Sequence, residues 1–353
     1  MPKTYRGTDA TLVDHLMYAH FIPFKELTPI LEPFINLHPP VINVFIDLYS
    51  MTTPLYRAYN YENPITLTAC IANAAIHYRN FFRQAGIYAN IFLVYSPTMS
   101  QNNLMYCPEY NKEHIMERAN NYEVKKLIDN NLELFGTIVP YMPNVFLRLG
   151  TVEVSIMITD MLMQFIAKKY NVPTLVVSSS PVSFQIPTLI PTAVVLYRTR
   201  TRELYLVDSK NALGTAIKYN KKVEADISDI DPSWISGYYT YVGMSKRSMS
   251  PLLDYRMALN CLRSIKYNNE VLSSESLINA YMNSTTSKPK TDEVKTLIHN
   301  RFNCFDFRNQ LIMYQLMPES KETAYLTQIN NMEELYRLND KYFRHTMMQL
   351  DKL

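Results

Sequence analysis

The chain has 353 residues, of which 47% are hydrophobic, and its formal net charge is only +3. This length and apolar content suffice for two domains or for one α/β domain with additions. The near-neutral balance gives no general signal for nucleic-acid binding, so any basic surface has to be local. No apolar run has the length of a membrane span, and residues 1–16 lack a signal core. We therefore expect a cytoplasmic protein without membrane contacts.

Cysteines and glycines limit the kinds of site further. The four cysteines are far apart and lack the spacing of a structural zinc site: Cys70, Cys107, Cys261 and Cys304. We expect them to be reduced core thiols. With only seven glycines, the chain contains neither GxxxxGK[ST] nor GxGxxG, the common phosphate-cradling loops.

The first predicted elements are a helical segment and a buried strand. Apolar residues recur at helical spacing over 8–36, and the following HPP ends that pattern. The apolar run VINVFID at 41–47 predicts a buried strand that ends in Asp47. A further helix is predicted over 63–86, with Gly86 at its end.

Strands and helices then alternate as far as residue 208. The predicted elements are strand 89–97, helix 116–136, strand 144–150, helix 152–169, strand 172–180 and a hairpin over 192–208. This alternation indicates an α/β fold with a mostly parallel sheet and flanking helices. Ligands of such sheets bind at the carboxyl ends of the strands. Four polar residues fall at or near those ends: Asp47, Ser96, Glu153 and Ser180.

The C-terminal part of the sequence is predicted to be helical. Helical patterns are separated by the polar segment NSTTSKPKTD, which predicts a linker or an exposed loop. The predicted division is an N-terminal helical segment (1–40), an α/β domain (41–232), a helical hairpin-like region (233–282), the linker (283–292) and C-terminal helices (293–353).

The order of these elements resembles the flap-endonuclease, or 5'-3' exonuclease, group of PIN-like nucleases over residues 41–266. In that group a first strand ends in an aspartate, as VFIDLYSMTTPLYRAY does at Asp47. A later helix opens with acids, as FLRLGTVEVSIMITDML does at Glu153. The resemblance implies a PIN-like α/β domain with a helical C-terminal region.

Most of the acids that this resemblance implies are replaced. The substituted positions are Ser96, Ser155 or Ile156, Ser180, Val182, and Met244 or Ser245. Asp47 and Glu153 remain, and Asp160 lies about 10 Å further along the predicted helix. Two-metal nucleases need clustered carboxylates to hold both ions. We therefore expect at most one weakly bound Mg²⁺, at Asp47 and Glu153, and no other cofactor.

The two remaining acids are interpreted as vestigial, so that no catalytic residue is left. As relics of one site, their carboxylates should approach within roughly 4–8 Å of each other. Three alternatives stay open. Asp47 can simply end its strand, and Glu153 can be an ordinary first-turn residue favoured by the helix dipole. The matched order of elements can also be generic α/β ordering.

Basic residues give a second candidate site. Two arginines lie one turn apart in the helix over 63–86, and five further basic residues lie in the hairpin-like region. These candidates for phosphate binding are Arg79, Arg83, Lys246, Arg247, Arg256, Arg263 and Lys266. In the flap-endonuclease group the hairpin stretch grips duplex phosphates, and interleaved aromatics can stack on bases. Tyr238, Tyr239, Tyr241 and Tyr255 are the interleaved aromatics. The alternative is that these are solvated helix faces.

These features together predict a pseudo-nuclease that binds DNA without cleaving it. The abundance of Tyr and Met (27 and 19 residues), with abundant Asn, is typical of A/T-rich genomes such as those of many viruses. Replication, recombination or packaging of a viral-type genome is the expected setting, in the host cytoplasm or the virion. The first alternative is a structural or scaffolding virion protein that binds other proteins of a virion or replication complex. The second is an atypical metal-dependent nuclease.

Overall fold

The structure is a computed structural model that describes parts of the chain between residues 40 and 316. The described residues are 40–48, 75–76, 78–96, 144–150, 153–169, 172–178, 180–198, 204–244, 249–285 and 287–316. Within them, six strands form one sheet in the order β3-β2-β1-β4-β5-β6. The strands are β1 Val41–Asp47, β2 Tyr88–Tyr95, β3 Val145–Leu149, β4 Thr174–Ser178, β5 Ala193–Arg198 and β6 Leu204–Val207. All neighbouring pairs are parallel except β5–β6, which is an antiparallel hairpin.

The central strand β1 explains why its sequence is almost wholly apolar. It lies between β2 and β4, and each of its seven residues is buried. Asn43 is the polar exception in its middle, and it pairs in register with Asn90 of β2. The Asn90 side-chain amide donates to Asn43 Oδ1 at 3.0 Å. Because a one-residue slip would separate these two amides, the pair favours this register.

Besides the helical residues 78–84 before β2, eight helices and a 3₁₀ turn accompany the sheet in the described part of the chain. They are α1 Val154–Ala167, the 3₁₀ turn Pro181–Gln185, α2 Ile186–Leu189, α3 Ala212–Lys221, α4 Ile235–Val242, α5 Tyr255–Tyr267, α6 Ser274–Asn283, α7 Asp292–Phe305 and α8 Phe307–Leu316. Helix α1 covers one face of β1 and β2. Phe92 stacks on Phe45 at 4.5 Å between ring centroids and lies 6.0 Å from Phe165 of α1.

The C-terminal helices share a core with the sheet. One continuous cluster of buried side chains runs from Phe45 and Phe92 of the strands to Phe302 of α7. Polar bonds reinforce this junction. Gln185 Nε2 donates to the carbonyl of Phe305 at 2.8 Å, and Ser236 Oγ donates to Asp306 Oδ2 at 2.9 Å.

The predicted fold class is confirmed: a mostly parallel sheet with flanking helices. Strand 41–47 has the predicted limits, and the hairpin over 192–208 is present as β5 and β6. Residues 78–84 are helical, and Gly86 has the positive φ of +73° expected where that helix ends. The helices predicted over 8–36 and 116–136 lie outside the described residues. Among the described helices, none combines the length and apolar character of a membrane-crossing segment.

Candidate functional site at the carboxyl edge of the sheet

Asp47 lies at the carboxyl end of β1, where the resemblance places the first acid of a metal site. This residue is only 5% exposed. Ile46 pairs with Val177 of β4, so Asp47 stands beside Ser178. Ser178 Oγ donates to Asp47 Oδ2 at 3.1 Å and accepts from the backbone N–H of Ser180 at 3.1 Å. The carboxylate is thus joined to β4 through a serine hydroxyl.

Ser96 belongs to the same edge and the same face of the sheet. In β2, Val94 pairs with Asp47, and Ser96 follows two residues later. Side chains in register and two residues apart share one face. This is the face on which Phe165 of α1 packs, and Ser96 is buried. Ser96 therefore lies at the edge where the sequence pattern places it.

Glu153 begins the helix that covers this face. Helix α1 follows β3 directly, so its first turn stands at the carboxyl edge and Glu153 lies next to that turn. The Glu153 carbonyl accepts from the amides of Ile156 and Met157 at 3.0 and 3.1 Å. The edge therefore carries both remaining acids, Asp47 and Glu153. Their predicted separation of roughly 4–8 Å stays a prediction.

The other residues of α1 named in the sequence face different partners. Ser155 is buried, and its carbonyl accepts from Thr159 Oγ1 at 2.7 Å. Asp160 is buried two turns along, where its Oδ2 accepts from Gln164 Nε2 at 2.7 Å. The bond to Gln164 is made within α1, one turn further from the edge.

Two of the substituted positions, Ser180 and Val182, follow β4 in the chain. Ser180 is partly buried and precedes the 3₁₀ turn, while Val182 is buried in the hydrophobic core. Met244, at the position of the final implied acid, is also buried in that core. Sequence reasoning missed Ser178, which donates a hydrogen bond to Asp47. The alternation of TLVVS was an available signal, because residues 174, 176 and 178 share a face.

This edge offers hydroxyls and two acids. Among the described residues, no three Asp, Glu, His or Cys side chains are grouped so that they could hold a metal ion. Asp47 and Glu153 are the residues that would contribute ligands, because Mg²⁺ prefers carboxylate oxygen. A carboxylate that accepts from Ser178 keeps other lone pairs, so the donor set fits at most one weakly held ion.

The basic candidates are divided by the structure. Arg256 is exposed at the first turn of α5, where its Nε donates to Tyr255 Oη at 3.1 Å. Arg263 and Lys266 contact the loop between α3 and α4 instead. Arg263 Nε lies 2.8 Å from Asp229 Oδ2, and Lys266 Nζ donates to the Asp229 carbonyl at 2.6 Å. The hydrogen bond from Arg263 lowers the pKa of Asp229.

The remaining basic candidates lie elsewhere. Arg79 is partly buried and Arg83 is exposed on the helical residues before β2. Lys246 and Arg247 lie outside the described residues. Helix α5 therefore does not present Arg256, Arg263 and Lys266 as equivalent groups.

The expectation that the interleaved tyrosines can stack on bases is wrong for three of them. Tyr238, Tyr239 and Tyr241 each have 0% relative exposure. Their rings pack in the core of the helical region, and Tyr239 Oη donates to the Pro181 carbonyl at 3.1 Å. Burial raises the pKa of all three hydroxyls. Helix α4 is covered on all sides, so each of its residues is buried.

Comparison with known proteins gives structural matches alone. No protein-family model matches the chain, and neither does any curated protein. Three solved structures cover 87% of this chain and 98% of their own. They are the T5 D15 protein co-crystallised with metal ions (TM-score 0.47, 12% identity), the bacteriophage T5 flap endonuclease in a pseudo-enzyme–product complex with DNA and metal ions (0.49, 13%) and T5 5'-exonuclease with zinc (0.48, 12%).

These three matches are to structures of the group that the sequence resembles. The likeness is one of fold, between a PIN-like flap-endonuclease arrangement and the sheet described above. The metals and DNA belong to those structures. With TM-scores below 0.5, nothing about the chemistry of this chain follows from them.

Proposed function

We propose that this chain is a catalytically degenerate, flap-endonuclease-like protein that binds nucleic acid without cleaving it. The proposed setting is the replication, recombination or packaging of a viral-type genome, in the host cytoplasm or the virion. The observation that carries the proposal is the outer face of α5. It combines basic, amide and hydroxyl groups with an exposed aromatic ring at the end of the helix.

The two faces of α5 differ sharply. Its inner face is buried in the core through Ala258, Leu259, Cys261, Leu262 and Ile265. Its outer face exposes Arg256, Asn260, Ser264 and Tyr267. Asn260 and Ser264 follow Arg256 at four-residue steps, so these three side chains form one row. Arginine, asparagine and serine are common phosphate-contacting groups, which position a duplex without reading its sequence.

The arrangement around Asp47 supports the absence of cleavage. Its carboxylate accepts from Ser178, and the next polar group, Ser180, donates its backbone amide to Ser178. Hydroxyls are poor substitutes for the carboxylates that hold two hard dications. We infer that Asp47 stabilises the sheet through its bond to Ser178, at a position where the resemblance implies a metal ligand.

Two assays test the proposal. Flap, nicked and single-stranded DNA should remain intact with the purified protein in Mg²⁺ or Mn²⁺. The same protein should retain DNA with a Kd of about 1–100 µM at moderate salt, the range of sequence-independent phosphate binding. Magnesium-dependent cleavage that is lost in Asp47→Asn would overturn the proposal.

A charge-matched pair of variants locates the binding surface. Replacing Lys246, Arg247 and Arg256 together by Ala should weaken DNA binding and flatten its salt dependence, since fewer counterions are released. The control replaces Lys288, Lys290 and Lys295 by Ala, which removes the same charge from positions outside the candidate set. Equal losses in both variants would show that bulk charge alone binds DNA.

One observation favours the scaffolding alternative. Tyr267 is 90% exposed and Val271 is 80% exposed, on either side of the turn between α5 and α6. Exposed apolar side chains four residues apart in the sequence are compatible with a protein contact. This alternative predicts no DNA retention at low salt, stable association with other proteins of a virion or replication complex, and loss of that association in Tyr267→Ser/Val271→Ser.

A further inference from the structure

The two basic residues near the end of α5 are bound by an acidic loop. We use "acidic loop" for residues 222–231, KVEADISDID, which join α3 to α4. Arg263 spans the loop with two nitrogens. Its Nε donates to Asp229 Oδ2 at 2.8 Å, and its Nη2 donates to the Asp226 carbonyl at 2.7 Å. Lys266 Nζ completes the contact at the Asp229 carbonyl, at 2.6 Å.

These contacts resemble those that a phosphate group would make. A guanidinium presents parallel donors that match two oxygens of a carboxylate or a phosphate, and an ammonium adds a third donor. Arg263 and Lys266 are three residues apart, so both side chains lie on the same side of α5. The acidic loop thus places three oxygen atoms against a ready-made anion site.

The acidic loop is strongly anionic and largely solvent-facing. It contains four acids and one lysine. Asp226 and Asp231 hold its shape by accepting from backbone amides of Ser228 and Ser233, at 3.1 and 2.8 Å. Ile230 is buried in the core and anchors the loop beside α5. Its charge therefore lies next to the row of exposed polar groups on that helix.

We propose that the acidic loop competes with nucleic-acid phosphate for Arg263 and Lys266. Helix α5 then binds phosphates at its Arg256 end, and the opposite end becomes available only when phosphate replaces Asp229. This inference rests on the proposed nucleic-acid binding and adds its regulation. The acidic loop therefore lowers the affinity of α5 for nucleic acid. Only a strongly anionic strand displaces the loop and contacts both ends of the helix.

The test removes two of the four negative charges of the acidic loop without removing its hydrogen-bonding groups. Asp226→Asn/Asp229→Asn keeps the side-chain shapes, and Asn can still accept from the Ser228 amide. The double variant should bind single-stranded and duplex DNA about 3- to 20-fold more tightly at low salt. Its salt dependence should steepen, by up to about 0.9 in log–log slope for each additional phosphate that the protein neutralises.

A charge-matched control is Asp292→Asn/Glu293→Gln in the first turn of α7. It also removes two negative charges, from exposed positions outside the acidic loop. The control should bind DNA within about twofold of the unmodified protein, because screening limits the reach of exposed charges. An equal increase in affinity in both variants would overturn the inference, since net charge alone would then explain it. Thermal unfolding checks that all proteins are folded.

Retention on a heparin column separates this inference from the proposed function. If the unmodified protein binds DNA and Asp226→Asn/Asp229→Asn changes neither DNA affinity nor heparin retention, the competition is wrong and nucleic-acid binding stands. If neither protein binds DNA but the loop variant elutes from heparin at higher salt, the loop masks an anion site and nucleic acid is the wrong ligand. If neither protein binds DNA and heparin retention is unchanged, both are overturned.

Discussion

At the residue scale, the environment of Asp47 depends on the register between β1 and β4 as well as on β1 itself. The residue ends β1, but its hydrogen-bond donor comes from Ser178 of β4, 131 positions later in the chain. A buried carboxylate needs such a donor, because burial without compensation is costly. The bond therefore contributes to stability whether or not an ion ever binds at this edge.

Replacing Ser178 by Ala should accordingly destabilise the protein. The expected cost is about 1–3 kcal/mol in free energy of unfolding, since Asp47 stays buried and loses a donor. Urea denaturation measures it. Ser180→Ala is the matched control, because Ser180 reaches Ser178 through its backbone amide. A loss in the control as large as in Ser178→Ala would contradict the assigned role.

At the scale of elements, two helical glycines differ in how closely their helices pack. A Cβ on Gly237 of α4 would lie 3.0 Å from side-chain atoms of both Leu262 and Leu272. A Cβ on Gly214 of α3 would meet one atom, the Cδ1 of Ile227, at 3.3 Å. Helix α4 therefore needs its glycine for close approach to its neighbours, whereas α3 has room to adjust.

The two Gly→Ala substitutions should change stability in opposite directions. Gly214→Ala should raise the free energy of unfolding by about 0.5–1 kcal/mol through helix propensity. Gly237→Ala gains the same propensity but overpacks a buried leucine cluster, which costs about 1–3 kcal/mol. Its net effect should be destabilising. Thermal and urea unfolding of both variants measure these changes in free energy of unfolding. Stabilisation by Gly237→Ala would disprove the close packing.

At the scale of the whole molecule, the strands and the C-terminal helices share one core. Gln185 bonds to α7 and Asp306 bonds to α4, so the 3₁₀ turn and the C-terminal helices are joined at their ends. The division of the sequence at residue 233, which stays a prediction, therefore separates stretches that are packed together. Removing one part would expose the apolar face of the other.

A fragment of residues 1–232 should fail to form a cooperative native state. Without the buried tyrosines and leucines of α4 to α7, much of the cluster around β5 and α3 loses its cover. We expect weak near-ultraviolet circular dichroism, dye binding to exposed apolar surface and no sharp thermal transition. The full chain, measured beside it, should unfold in one transition. A cooperatively folded fragment would establish residue 233 as a true domain boundary.

The sequence predicted secondary structure correctly where the residues of a single segment determine it. An unbroken apolar run predicts a strand buried on both faces, so β1 had the right limits. Side chains whose partners lie far away could not be assigned. Arg263 and Lys266 look like free surface cations, but their partners lie 34 to 37 positions earlier. In the sequence, the tyrosines of α4 also resemble a binding surface. They are buried only because α6 and α7 pack against them.

The central place of β1 also has a consequence during protein synthesis. Its partner β2 begins 47 residues after β1 does, as the pairing of Val41 with Tyr88 shows, but Ser178 of β4 follows Asp47 by 131 residues. At about 5–20 residues per second, that interval lasts roughly 7–26 s. Throughout it, one side of an apolar strand has no native neighbour and is open to mispairing or aggregation. Asn43 limits this hazard on the ribosome, because a buried amide penalises any pairing partner that lacks a matching polar group.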